Sequence, residues 1–168
     1  MPPTHNIKQL LQDFVIMKGD SGATSHYVRE QDRACLTNLT PYSGPSVLLP
    51  GADSIPPSQQ GILTLHHDLS RQAQVGTVLP QLRSTSLLSL GQLCDDGCDV
   101  VLNKRKLYAI KDKEVILQGF RNTTDGLWDI PVAKRQVQPD NYITPPSHAA
   151  LYASNHISSP AIHHLSKK

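Results

Sequence analysis

Apolar residues in this chain come in short runs, cut every few positions by proline, glycine or polar clusters, and this pattern constrains the fold most. There are 13 prolines in 168 residues. Each fixes φ and removes a backbone donor, which disfavours long helices and long central strands alike. The pattern predicts short strands joined by turns. Candidates are Phe14-Val15-Ile16-Met17 (after helix or coil to about Gln12), Val47-Leu48-Leu49, Gly61 to Leu65 and Val75 to Leu79. The runs Val100-Val101-Leu102, Leu107 to Ile110, Val115-Ile116-Leu117 and Leu127 to Ile130 then read as an antiparallel meander. Only Leu87, Leu88, Leu90 and Leu93 share a helical face, which predicts one short helix capped by Gly97.

The expected architecture is mainly β: a small lobe with one short helix, a meander and a poorly ordered tail. Residues 1–13 read as an N-terminal extension and 14–132 as the domain. Residues 133–168, rich in Pro, Ser, Asn and His without sustained period, read as a linker or tail. Apolar residues make up 38% and aromatics 5%, enough for one modest core. Sixteen basic against 14 acidic residues leave a formal charge of +2, too weak a field to imply nucleic acid or a membrane surface as partner. No run approaches the ~18 apolar residues of a membrane span, and the N-terminus lacks a cleavable signal pattern. Cys35, Cys94 and Cys98 cannot all pair, so reduced thiols and a cytoplasmic location are the expectation.

Gly19-Asp20-Ser21-Gly22 is the sharpest turn signal, and it is expected to end the first strand and aim Asp20 out of it. Asp20 to Thr24 (DSGAT) has the composition of an aspartic-protease loop. There, two close carboxylates share one proton, because like charges at that distance cannot both ionise. One acts as base on a water and the other as acid on the leaving amine. Ser21 offers a hydroxyl for the carboxylate, Gly22 permits the turn and Ala23 is small enough for close approach. By itself the tripeptide is ordinary turn chemistry, arising by chance in about one chain in ten of this length.

Several ordered strings give it context. DSGATSHYV (Asp20 to Val28) resembles the protease motif of copia-type retrotransposon polyproteins, and PQLRSTSLLSLGQLCDDG (Pro80 to Gly97) is similar to the later part of the same region. LLPGADSI (Leu48 to Ile55) resembles the family's hairpin over the cleft, and ILQGFRNTTDGLWDIPV (Ile116 to Val132) the segment closing its β region. SPAIHHLSKK (Ser159 to Lys168) looks like the start of the segment leading towards an integrase region.

The resemblance implies a retropepsin-like β-barrel lobe with Asp20 as its one catalytic residue and Ser21, Gly22, Ala23 and Thr24 as the active-site loop. Leu88, Leu90 and Gly91 would pack behind that loop. No second Asp-Ser/Thr-Gly exists in the chain, so activity implies a homodimer with Asp20 from each copy. The substrate would be peptide segments of its own polyprotein, inside the cell and in virus-like particles, with no cofactor, metal or direct nucleic-acid contact. The rival expectation is a non-catalytic polyprotein fragment. The sequence departs from the family pattern at Lys18 and Gly19, where an uninterrupted apolar strand would anchor the loop. It departs again at Pro56-Pro57, in a hairpin without glycine between Gly51 and Gly61.

Other residues read as structural. His26 is expected to be a surface or hydrogen-bonded structural histidine, with no catalytic role assigned. The remaining histidines and the cysteines lack the paired tight spacing of a structural zinc site. Trp128 is expected to close the small core, and Asn103 to Lys106 to form a solvated hairpin turn.

Overall fold

The computed structural model describes residues 12–51 and 53–134. Among these, the strands run β1 (Phe14–Asp20), β2 (His26–Arg29), β3 (Leu36–Pro41), β4 (Val47–Leu48), β5 (Ser54–Ile55), β6 (Gln59–Leu63), β7 (Val75–Leu79), β8 (Leu87–Ser89), β9 (Asp99–Leu102), β10 (Lys106–Lys111), β11 (Glu114–Arg121) and β12 (Trp128–Ala133). The helix α1 (Leu90–Asp95) and two 3-10 segments, Glu30–Cys35 and Gln72–Gln74, lie between them, and residues 12–13 are helical just before β1. The molecule is mainly β, with the expected short helix and meander. The tail and most of the N-terminal extension lie outside the described residues.

Ten strands form one mixed sheet in the order β3-β6-β7-β2-β8-β1-β12-β11-β10-β9. A helix of six residues cannot cover ten strands, yet Leu36 and Leu63 near one end and Leu107 and Ala109 near the other are fully buried in a single core cluster. The sheet therefore curls so that its inner face packs on itself, as a lobe without a second layer must. Strand alternation assigns that face: Val15, Met17 and Gly19 of β1 lie beside Val132, Ile130 and Leu88 respectively. Lys18, pointing the other way, pairs in register with Asp129.

Two sequence expectations need correction. First, Gly19 does not break β1, which runs unbroken to Asp20. A Cβ on Gly19 would meet Leu107 Cδ1 at 3.0 Å and Ile130 Cδ1 at 3.2 Å, so the glycine makes room for the meander to pack against β1. Lys18 is accommodated by ion pairs with Asp129 and, at 2.6 Å, Asp125. Burial lowers the Lys18 pKa, but the hydrogen bonds and charges of the two aspartates outweigh it and leave the pKa raised.

Second, Leu87 and Leu88 belong to β8, and the helix begins only at Leu90. Ser89 caps it by accepting a hydrogen bond from Gln92 N–H at 3.1 Å. Gly97 caps the far end at φ +85°, with Cys98 N–H donating to Leu93 O at 3.1 Å. The mixed polar stretch after Arg29, which carries no strand or helix period of its own, is ordered by a partly buried cluster. The Arg29 guanidinium pairs with Asp32 at 2.7 Å, and Ser86 Oγ donates to Asp32 at 2.7 Å, which lets the 3-10 segment lead into β3.

Asn103 to Arg105 do form the turn before β10, but Lys106 is on the strand and only 5% exposed. Its ammonium lies 5.4 Å over the Phe120 ring and has no hydrogen-bond partner among the described residues, and burial lowers its pKa. An unpaired buried cation costs more than a single ring contact returns. Lys106→Met is accordingly expected to stabilise the fold by about 1–2 kcal/mol in urea denaturation. Trp128 packs against the core with its outer side under the Arg121 guanidinium, 5.3 Å from the ring centroid.

Candidate active site

β1 delivers Asp20 as its last residue, beside Ser89 of the parallel neighbour β8. The turn beyond is closed by the carboxylate itself, because Asp20 Oδ1 accepts the Gly22 N–H at 2.7 Å. A Cβ on Gly22 would approach that oxygen to 3.3 Å, a tight contact with the carboxylate that closes the turn. Ala23 is buried in a small second cluster with Tyr27, Ile55, Leu79 and Leu82. Its carbonyl accepts from Ser89 Oγ at 2.6 Å, which pins the far end of the turn to β8. Thr24 is exposed, and its hydroxyl lies 2.9 Å from that of Tyr27. Ser21 is exposed too, and among the described residues its hydroxyl has no hydrogen bond. The bond expected of Ser21 is supplied by the Gly22 amide.

Opposite this turn stands a long hairpin. β3 and β6 form its base and β4 and β5 its tip, in two successive antiparallel pairs. The proline pair Pro56-Pro57 falls between β5 and β6, at the break separating tip from base, where no ladder donor is needed. Between hairpin and turn lies a cleft of about 510 Å³, lined by Asp20, Gly22, Ala23, Tyr27 and Leu87 on one side and residues of 45–50 on the other. Asp20 is the one carboxylate among the described residues that line it. Leu48, at the tip, is 73% exposed.

The three residues expected behind the loop have different fates. Leu88 is fully buried and Leu90 nearly so, with Leu90 Cδ2 3.5 Å from where a Gly19 Cβ would be. Gly91 is exposed on the first turn of α1, and a Cβ there would meet nothing closer than Ser89 Oγ at 3.8 Å. It packs behind nothing. Sequence reasoning passed over Ser89, the residue that joins strand, helix cap and turn. Its only signal was a serine between two leucines that are both core residues.

His26 is fully buried, so the surface position that the sequence left open is not the one it takes. Its Nδ1 accepts the Ser89 N–H at 2.9 Å, so Nε2 carries the proton and donates to Ala73 O at 2.8 Å. Burial lowers its pKa to about 4, against a small upward pull from the Ala73 bond. An unfolded chain protonates this ring near 6.5 while the folded one does not. The stability His26 confers is thus present above pH ~6.5 and lost as the pH falls through about 4, some 2.5 pH units worth about 3 kcal/mol. Urea midpoints of the wild type are expected to fall steeply between pH 6.5 and 4, and those of His26→Gln to fall less.

His66, His67 and Asp68 bring donor atoms within 4.8 Å of one another after β6. The His66 Nδ1 already accepts the Asp68 N–H at 3.2 Å. Cys35, Cys94 and Cys98 are free thiols. No helix among the described residues is long and apolar enough to cross a membrane. The chain matches no protein-family model, no curated protein and no solved structure.

Proposed function

We propose that this chain is the protease region of a copia-type retrotransposon polyprotein, an aspartic endopeptidase of retropepsin type that works as a homodimer on peptide segments of its own polyprotein. The observation that carries the reading is Asp20, at the mouth of a strand, on a turn closed by its own carboxylate, facing a cleft with a hairpin across it. The parallel strand β8, with Leu88 beside Gly19 and Ser89 beside Asp20, supports it by backing the loop where the family resemblance calls for backing.

One carboxylate cannot act as base and acid in the same turnover, so a second copy must supply the other across a two-fold axis. Two Asp20 carboxylates hold one proton between them. The ionised one takes a proton from a water that attacks the scissile carbonyl. The protonated one gives its proton to the leaving amine, and the pair is restored in exchanged roles. The turn's part is to fix each carboxylate through the Gly22 amide, and the cleft's is to hold an extended peptide against it. Cytoplasm and virus-like particles are the setting that goes with this function.

The test is cleavage of the chain's own extended polyprotein at about pH 5–6, with sedimentation run in parallel. Asp20-dependent cleavage from a dimer is the expected result. A folded chain that stays monomeric at high concentration and cleaves nothing would leave a non-catalytic β domain, and the proposal would be withdrawn.

A further inference from the structure

A buried polar network reaches from His26 to the Asp20 turn with every link satisfied. The His26 ring receives the Ser89 N–H and donates to Ala73 O; Ser89 Oγ donates to Ala23 O and receives the Gln92 N–H. Gln92 closes the circuit, its Oε1 accepting the His26 N–H at 2.9 Å and its Nε2 donating to Gln72 O and Val75 O, both at 2.9 Å. His26 and Ser89 are both fully buried, so neither has water as a replacement partner.

The network ends on two atoms that define the site. Ala23 O terminates the turn whose first residue is Asp20, and Ser89 is the register partner of Asp20 across β1 and β8. We propose that His26 is a positioning residue for Asp20, acting through Ser89, and that only its neutral ring holds the turn in shape, so that His26 sets the acid limit of the site's chemistry. This deepens the protease reading and rests on it.

The physical step is a change of hydrogen-bond role. Protonation puts a hydrogen on Nδ1, which then faces the Ser89 N–H, donor against donor. The bond must break, and Ser89 cannot shift without moving the oxygen that holds Ala23. Charged groups on the elements that meet the ring are mostly paired with one another. On β2, Arg29 is paired with Asp32; at the end of α1, Asp96 is paired with Lys111 and receives the Ser70 N–H. Arg71, before the 3-10 segment at Ala73, and Asp95 on α1 make no hydrogen bond to the ring. Burial and the geometry of one acceptor therefore govern the switch.

Two readouts test this on the full chain. In amide NMR from pH 7 to 4, the Ser89 and Gly22 resonances are expected to shift together with the His26 ring, while the amides of β10 and β11 stay still. In cleavage assays, His26→Gln, which can accept and donate without titrating, is expected to extend activity to lower pH. Ser89→Ala is expected to lower kcat about ten- to a hundredfold with KM little changed; loss of a helix cap alone would lower stability without moving kcat at a temperature where the chain is folded. If His26→Gln fails to fold, Ser89→Ala and the NMR titration still decide. A Gly22 amide indifferent to His26, or an acid limit unchanged in folded His26→Gln, would overturn the inference. Absence of cleavage from the wild type at any pH would sink the protease reading instead, leaving the coupling of His26 to the turn to be judged by the amides alone.

Discussion

Asp20→Asn is expected to reduce peptide cleavage by about a thousandfold or more while leaving the fold intact. The fold survives because the amide oxygen of asparagine can accept the Gly22 N–H as the carboxylate does at 2.7 Å, and because the side chain is only partly buried. Stability should stay within about 0.5 kcal/mol of wild type. In the proposed two-fold dimer, catalysis is expected to be lost, since one substitution removes both carboxylates and with them both the base and the acid. The pairing of an unchanged melting curve with lost cleavage separates a chemical role from a structural one. Cleavage that persists in Asp20→Asn would assign the activity to other residues or to a contaminant.

Leu88→Ala carries the largest expected effect on stability, about 3–5 kcal/mol by urea denaturation. Leu88 is fully buried in the main core and lies in register with Gly19, one residue before Asp20. β8 is flanked by β1 and β2 in the sheet and leads directly into α1, so a cavity there has little room to collapse. Gly91→Ala, three residues on, supplies the contrast. Its Cβ would enter open space on a helix, where alanine is preferred by up to about 1 kcal/mol, so the variant should be neutral or slightly stabilised. Similar losses in both variants would mean that α1 packs more tightly than its burial indicates.

Much of the fold is legible in the sequence because its signals are local. The meander after Gly97 is a succession of short apolar runs with turns between them. The Asp112-Lys113 turn, both residues at positive φ, is a two-residue link of the kind that joins antiparallel strands. The Asp20 turn is legible for the same reason, as Asp, Gly and Ala act within a few residues of one another. β3 was not, because its residues are mixed and what orders the stretch before it is a contact between Arg29, Asp32 and a serine 54 positions beyond Asp32.

Gly19 and Lys18 mark the same boundary from the other side. Read locally, a glycine and a lysine before Asp20 interrupt a strand. In the folded chain the glycine admits Leu107 and Ile130, and the lysine meets Asp125 and Asp129, all from the meander. For His26 the sequence left surface and hydrogen-bonded positions open, and could not show what it holds, since its partners Ala73 and Ser89 lie 47 and 63 residues away.

The sequence by itself determined the mainly β character and the turn that bears Asp20, both carried by spacing over a few residues. Only the tertiary structure decided that β1 passes through Gly19 unbroken, that Ser89 rather than Gly91 braces the turn, and that a buried histidine is wired to it. Those outcomes depend on which distant strands become neighbours when the sheet curls over its core, and no local period encodes that.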